Sequence, residues 1–260
     1  MSLAIGNGGP TAAEIERLRL ILSTYRDGSG QELGGNLPGW RDFERSVALA
    51  FGGRAVESKA IFDVLVPAEP PEYGISCKMR STLNETRRTG RVTIELSNSS
   101  AKFDDAFAAA GLTRQNMRAR PDDSGAVILT TVAGWHALIA EEIDLERSSY
   151  FSLSYNAAGE YQLHQFSLHL PGAETMTWAY PDRADGQPGK RLEGRANGEK
   201  VIEYYYASGG QLKYYPHIRD AIWQSDVFRL EQLDAVEVLY NAETKAALYF
   251  PQKWRATEER

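Results

Sequence analysis

The sequence predicts an α/β fold with a β-rich C-terminal half, on three observations. Apolar residues recur at helical spacing in two segments near the N-terminus. Between residues 54 and 79, short runs rich in β-branched and aromatic residues alternate with links that contain Gly and Pro. From about Ser148 onward, aromatic-rich segments come in pairs joined by Gly and Asn, as hairpins require.

The first helix is predicted over residues 11–25. Thr11 suits the N-cap, Glu14 stands three residues on as a capping box needs, and Ile15, Leu18, Leu22 and Tyr25 form a stripe. Residues 27–39 are rich in Gly and polar groups and read as a loop. A second helix is predicted over residues 40–51, with Trp40, Phe43, Val47 and Phe51 as its apolar stripe and Gly52-Gly53 as its stop. Strands follow at residues 54–57, 60–66 and 73–79. The link Pro67-Ala68-Glu69-Pro70-Pro71-Glu72 is a turn or loop, because proline cannot donate to a ladder. A polar, basic loop then leads to residues 91–96, whose alternation suits a fourth strand.

Residues 99–110 read as a helix that Gly111 ends. Residues 125–132 fit either a strand or the start of a buried helix, and residues 135–143 are helix-like. One hairpin is predicted from residues 150–155 and 161–168, around Asn156-Ala157-Ala158-Gly159. A second is predicted from residues 200–207 and 211–215, around Ser208-Gly209-Gly210. Residues 181–197, rich in Gly, Pro and charge, read as a loop.

The bulk numbers bound the function. A chain of 260 residues with 42% hydrophobic content can bury a sizeable core. No uninterrupted apolar run approaches about 18 residues, so no membrane span is expected. The first ten residues lack a basic start and a long apolar stretch, unlike a secretion signal. One cysteine excludes an intramolecular disulfide and a cysteine-based zinc cluster, and a reducing cytoplasm is the expected setting. The net charge of −6 argues against non-specific coating of nucleic acid. Local basic clusters leave a DNA-facing surface open: Lys78, Arg80, Arg87, Arg88 and Arg91; Arg114, Arg118 and Arg120; Lys190, Arg191, Arg195 and Lys200.

Asp63, Ser76 and Lys78 point most directly to chemistry. Asp63 lies in Ile61-Phe62-Asp63-Val64-Leu65-Val66, and Ser76 and Lys78 lie in Tyr73-Gly74-Ile75-Ser76-Cys77-Lys78-Met79. On neighbouring strands a carboxylate and an ammonium can meet at one point. Taken singly, Asp63 reads as a capped structural group and Lys78 as a solvated charge. The preceding helix and the hairpin spacing join them into a candidate site.

The order helix, strand, strand with Asp63, strand with Ser76-Cys77-Lys78, then further helix and strand resembles the core of the PD-(D/E)XK nuclease superfamily. The resemblance covers about residues 40–110 and rests on Glu44, Asp63 and Ser76-Cys77-Lys78. The chain departs from the usual pattern at Ser76, where an acid is common, and at Phe62, where a proline is expected. The resemblance implies a restriction-endonuclease-like mixed β-sheet flanked by helices, with a β-rich C-terminal extension. Residues 1–39 would be an N-terminal helix and loop, 40–147 the nuclease core, and 148–260 a recognition or dimerisation region.

It also implies a Mg²⁺-dependent endonuclease acting on double-stranded DNA, of the type II restriction kind. Palindromic cutting would call for a homodimer with one active site per strand. In this reading Asp63 is a shared Mg²⁺ ligand and the main-chain carbonyl of Cys77 is a second. A carboxylate from Glu95 or Glu44 completes a set of hard oxygens. Glu95 is preferred to Glu85 because it lies in an ordered-looking segment, and Glu57 is a further acid near the hairpin. Lys78 would orient the attacking water and offset charge in the transition state. Ser76 and Lys78 share a face, being two residues apart on a strand, and Cys77 points into the core.

Other readings stand beside this one. Ser76 motivates a nucleic-acid-binding protein of the same fold without catalysis, and a protein-interaction role is a third possibility. Cys77 with His136 would be a nucleophile and base, although a lone strand cysteine is usually inert core. His164 and His169 with Glu160 match no standard metal spacing. Tyr204, Tyr205 and Tyr206 near Lys200, Lys213 and Arg195 suit base stacking, core packing or a dimer interface.

Overall fold

The computed structural model describes residues 9–32, 37–56, 61–67, 71–187, 189–206, 209–233 and 242–258. Among them are seven α-helices and two sheets, one mixed and one antiparallel, so the fold is mixed α/β. None of these helices is long and apolar enough to cross a membrane. The chain divides into two compact units, each discontinuous in sequence. Residues 1–90, 140–168 and 218–260 form the first, and residues 91–139 and 169–217 the second.

In the first unit, α1 (Ala12–Thr24) begins at the predicted cap. The Glu14 backbone N–H donates to Thr11 Oγ1 at 3.2 Å, and the Thr11 N–H donates to Glu14 Oε2 at 2.7 Å. The next helix, α2 (Trp40–Ala50), is held at its start by Asp42, whose Oδ2 accepts from the N–H groups of Gly39 and Gln31, each at 2.9 Å. Leu18, Ile21 and Leu22 of α1 and Phe43 and Val47 of α2 are fully buried. Trp40 is not part of that stripe. It occupies the first helical position, stays 51% exposed, and carries the Arg41 guanidinium 4.8 Å from its ring centre.

Both helices belong to the core on one face of the mixed sheet. Its strands begin with β1 (Arg54–Ala55), β2 (Val64–Val66) and β3 (Tyr73–Arg80). The predicted strand over residues 54–57 shrinks to β1, and Glu57 lies outside the described residues. The basic segment after β3 is a helix, α3 (Leu83–Thr89), which buries Leu83 and Thr86 and ends at Gly90, where φ is 68°. Residues 91–96 contribute β4 (Ile94–Asn98), but to the other unit. The mixed sheet continues with β5 (Ser149–Tyr155) and β6 (Glu160–Ser167), the predicted hairpin. In the second unit lie β7 (Thr177–Ala179), β8 (Arg191–Ala196), β9 (Glu199–Tyr205) and β10 (Gln211–Tyr214). The two-residue strands β11 (Trp223–Gln224) and β12 (Phe228–Arg229) both pair with β6.

The mixed sheet runs β1-β2-β3-β5-β6-β11, and β3 and β5 are its parallel pair. The connection between them holds α3, β4, α4 (Ala101–Ala109) and α5 (Pro121–Ala137), a crossover of the length parallel strands need. The alternation of side chains divides the sheet. Val64, Val66, Ile75, Cys77, Phe151, Leu153 and Leu163 join the helices in the core. α6 (Ala242–Tyr249) and α7 (Pro251–Glu258), both unforeseen in the sequence, add Ala246 and Trp254 to it.

The second unit is an antiparallel sheet in the order β4-β10-β9-β8-β7. Tyr204 packs its ring 5.3 Å from that of Phe103 on α4, and Phe103 lies 5.1 Å from Trp135 on α5. Residues 125–132 are therefore helix, not strand. Gly125 is required there, because a Cβ would stand 2.3 Å from the Trp178 ring. The helix ends at Ala137, short of the predicted 143. Residues 191–196, expected as loop, are β8.

Candidate active site

Asp63 sits at the head of β2, where its N–H donates to the Ile75 carbonyl at 3.1 Å. This places the carboxylate beside β3. Asp63 Oδ2 accepts from the Cys77 N–H at 2.7 Å, from Lys78 Nζ at 3.1 Å and from Ser76 Oγ at 3.3 Å. Lys78 Nζ donates also to Ser76 Oγ at 2.9 Å and to the Cys77 carbonyl at 3.0 Å. The expected sharing of one face by Ser76 and Lys78 is present, and the Cys77 side chain is buried in the core behind them.

Glu44 on α2 joins this group electrostatically. Burial, and then the negative charge of Asp63, push its carboxyl up to about 7, against a smaller opposing pull from Lys78. The same surroundings push the Cys77 thiol well up, chiefly through burial and then through Asp63. A buried neutral thiol is a poor nucleophile, so what Cys77 offers this cluster is its main-chain N–H and carbonyl. The oxygens gathered around Lys78 are one carboxylate, one hydroxyl and one main-chain carbonyl, and the charge of Asp63 reaches the Glu44 carboxyl. These are hard oxygens, suited to Mg²⁺ more than to zinc. Among the described residues no group of three or more His, Cys, Asp or Glu side chains is arranged to hold a metal ion. A metal on Asp63 would take its remaining ligands from the carbonyl, from Glu44 and from water or substrate.

Glu95, the preferred third acid, is on a different unit of the chain. It lies on β4 in the second unit, and its Oε2 accepts from Gln211 Nε2 at 2.8 Å. There it is part of a charged row across that sheet, Glu193–Glu203–Lys213–Glu95 in register order. Glu85 is exposed on α3. Within the first unit Asp63, Ser76 and Lys78 are hydrogen-bonded to one another, and the Glu44 carboxyl feels the charges of Asp63 and Lys78. Glu160 accepts from Arg87 at 2.7 Å and from Asn156 at 2.9 Å, an ion pair and turn contact and not a metal ligand set with His164.

The sheet face that carries Lys78 holds Ser152 and Gln224, which the sequence does not single out, and His164, which enters the sequence reading only as a metal ligand with His169 and Glu160. Register sets Lys78 beside Ser152, Ser152 beside His164, and His164 beside Gln224. His164 is 1% exposed, its Nδ1 has no hydrogen-bond partner among the described residues, and burial lowers its pKa to about 4. Strand alternation in residues 149–167 carries the signal for this face, but only a known register brings it to Lys78.

Tyr204 is buried, while Tyr205 and Tyr206 are half-buried and each is capped by an arginine. Arg191 lies 5.2 Å from the Tyr205 ring centre and Arg114 4.3 Å from that of Tyr206. Comparison of the chain with protein-family models, with curated proteins and with solved structures gives no match.

Proposed function

We propose that this protein is a Mg²⁺-dependent endonuclease of the PD-(D/E)XK, restriction-endonuclease-like type, cutting double-stranded DNA. The observation that carries the reading is the convergence of Asp63, Ser76, the Cys77 carbonyl and Lys78 within hydrogen-bond reach, with Glu44 near enough to feel Asp63. Helix, hairpin and Ser-x-Lys strand occur in the expected order, and the mixed sheet is compatible with that fold.

In this reading Asp63, the Cys77 carbonyl and Glu44 would hold Mg²⁺. When bound, the ion supplies the Lewis acidity that polarises the phosphate and acidifies water. Asp63 is oriented by the Cys77 N–H, so its aim is set by main chain. Lys78 carries the positive charge that orients the attacking water and offsets the extra negative charge of the transition state. Ser76 keeps the Lys78 stem on the site's face. Arg80, on the same face two residues on, is half-buried and suited to hold the backbone phosphate next to the cut.

Supercoiled plasmid incubated with the protein and Mg²⁺ tests this. Cleavage is expected from the wild type and is lost in Asp63→Ala and Lys78→Ala. Equal cleavage by either variant removes the assignment. A second reading, DNA binding without catalysis, is favoured by Ser76 in the place of an acid. It predicts binding that survives Asp63→Ala and no nicking with any divalent cation. Cutting both strands of a palindrome would need two copies, which light scattering of the DNA complex would register as a dimer.

A further inference from the structure

Lys78 spends all three of its N–H bonds on three oxygens. They are Asp63 Oδ2 at 3.1 Å, Ser76 Oγ at 2.9 Å and the Cys77 carbonyl at 3.0 Å. Two of the three are the oxygens that the nuclease reading gives to the metal. A compact ammonium makes the same kind of demand as a small divalent cation, several oxygens around a positive centre. Lone pairs engaged by one are denied to the other, and two cations on the same pair of oxygens repel each other. Asp63 also accepts from the Cys77 N–H at 2.7 Å, so the carboxylate stays in place when the ammonium leaves. The Lys78 side chain keeps 21% of its surface exposed, and its flexible four-carbon stem has a way out toward solvent.

We propose that Lys78 is a displaceable internal cation, seated in the oxygen cage of Asp63, Ser76 and Cys77 until a divalent cation takes the cage and a DNA phosphate takes the ammonium. The proposal rests on the nuclease reading and adds to it a coupling between two ligands. Metal alone must drive the ammonium into water. DNA alone must draw it away from Asp63. Together, each ligand uses what the other sets free, so each tightens the binding of the other by the same factor. A site built in this way is poised for hydrolysis only when both ligands are present.

The test is calorimetric titration of Ca²⁺ into the full chain, with and without a phosphorothioate-linked DNA duplex, for wild type, Lys78→Met and Lys78→Ala. Without DNA, both variants are expected to bind Ca²⁺ at least about fivefold more tightly than wild type. DNA is expected to tighten Ca²⁺ binding to wild type by a similar factor, and to do so much less in the variants. A charge acting only through space would also weaken metal binding, so the second readout is ¹⁵N relaxation of the Lys78 ammonium. Its order should fall when Ca²⁺ is added and return when DNA follows. An ammonium that stays ordered in Ca²⁺, or variants that bind Ca²⁺ no more tightly than wild type, would overturn the displacement. Full plasmid cleavage by Asp63→Ala would overturn the nuclease reading instead, and the relaxation data would still decide whether the cage exchanges cations.

Discussion

Glu44 offers a proton that can be counted. Its carboxyl is held up at about 7 by burial and by the neighbouring Asp63 charge, so near neutral pH a large share of the molecules carry it protonated. At pH 6 about one-tenth are ionised, at pH 7 about half, and at pH 8 about nine-tenths. A divalent cation on Asp63 favours the ionised form and expels the proton. Proton release per metal should therefore fall from about 0.9 at pH 6 to about 0.5 at pH 7 and about 0.1 at pH 8. Apparent metal affinity should rise roughly tenfold between pH 6 and pH 8, the ratio of the ionised fractions. Calorimetry in two buffers of different ionisation enthalpy measures the release directly. Glu44→Gln removes the titrating group, so its release should be near zero and its affinity flat across this range. Equal release by Glu44→Gln and wild type, or none by wild type at pH 6, would refute the placement of Glu44 beside the metal.

Three further outcomes follow from the same geometry. His164 has a folded pKa of about 4, below its unfolded value of about 6.5. Its neutral form therefore contributes stability that is present above pH 6.5 and lost as pH falls toward 4, up to roughly 3 kcal/mol. Urea unfolding of wild type and His164→Gln should converge by about 2–3 kcal/mol between pH 7 and pH 4.5, and parallel curves would contradict the burial. Gly74→Ala should cost about 1–3 kcal/mol and reduce cleavage, because the added Cβ would stand 2.2 Å from the ring of Phe62, the residue before Asp63; an unchanged urea midpoint would argue against this contact. The Cys77 thiol should resist Ellman's reagent at pH 8 in the folded protein and react in full after unfolding in urea, since burial holds it protonated.

What could be read from the sequence was local. The capping box at Thr11 and Glu14 placed α1 to within a residue, and the Pro-bounded hairpin brought Asp63 to Ser76 and Lys78. What escaped depended on partners distant in sequence. Glu95 stands out in the sequence because it lies in an ordered-looking segment, and the partner of that segment, β10, is more than a hundred residues further on. Trp40 fits the helical period of Phe43 and Val47, yet at the first turn of α2 it escapes the core those residues fill. The segment holding α3 reads as loop because Leu83 and Thr86 are its only buried residues among Asn, Thr and Arg. The Ser152–His164 pair follows from the β5–β6 hairpin, but only the parallel register of β3 on β5 sets it beside Lys78. Helix α5 carries Gly125 and Gly134, which blur its helical signal, and Gly125 is there because Trp178 lies against it.

The chain path has a bearing on synthesis. Glu44, Asp63, Ser76 and Lys78 all leave the ribosome early, but β3 gains its second neighbour only with β5 at residue 149, and the core behind Cys77 waits for Ala246 and Trp254 near the end. β4 likewise stands without a neighbour until β10 has been made. A nascent chain therefore carries Glu44, Asp63, Ser76 and Lys78 before the sheet and core around them are complete. Only once the later strands and helices have been made is this cluster held in the complete sheet and core described above.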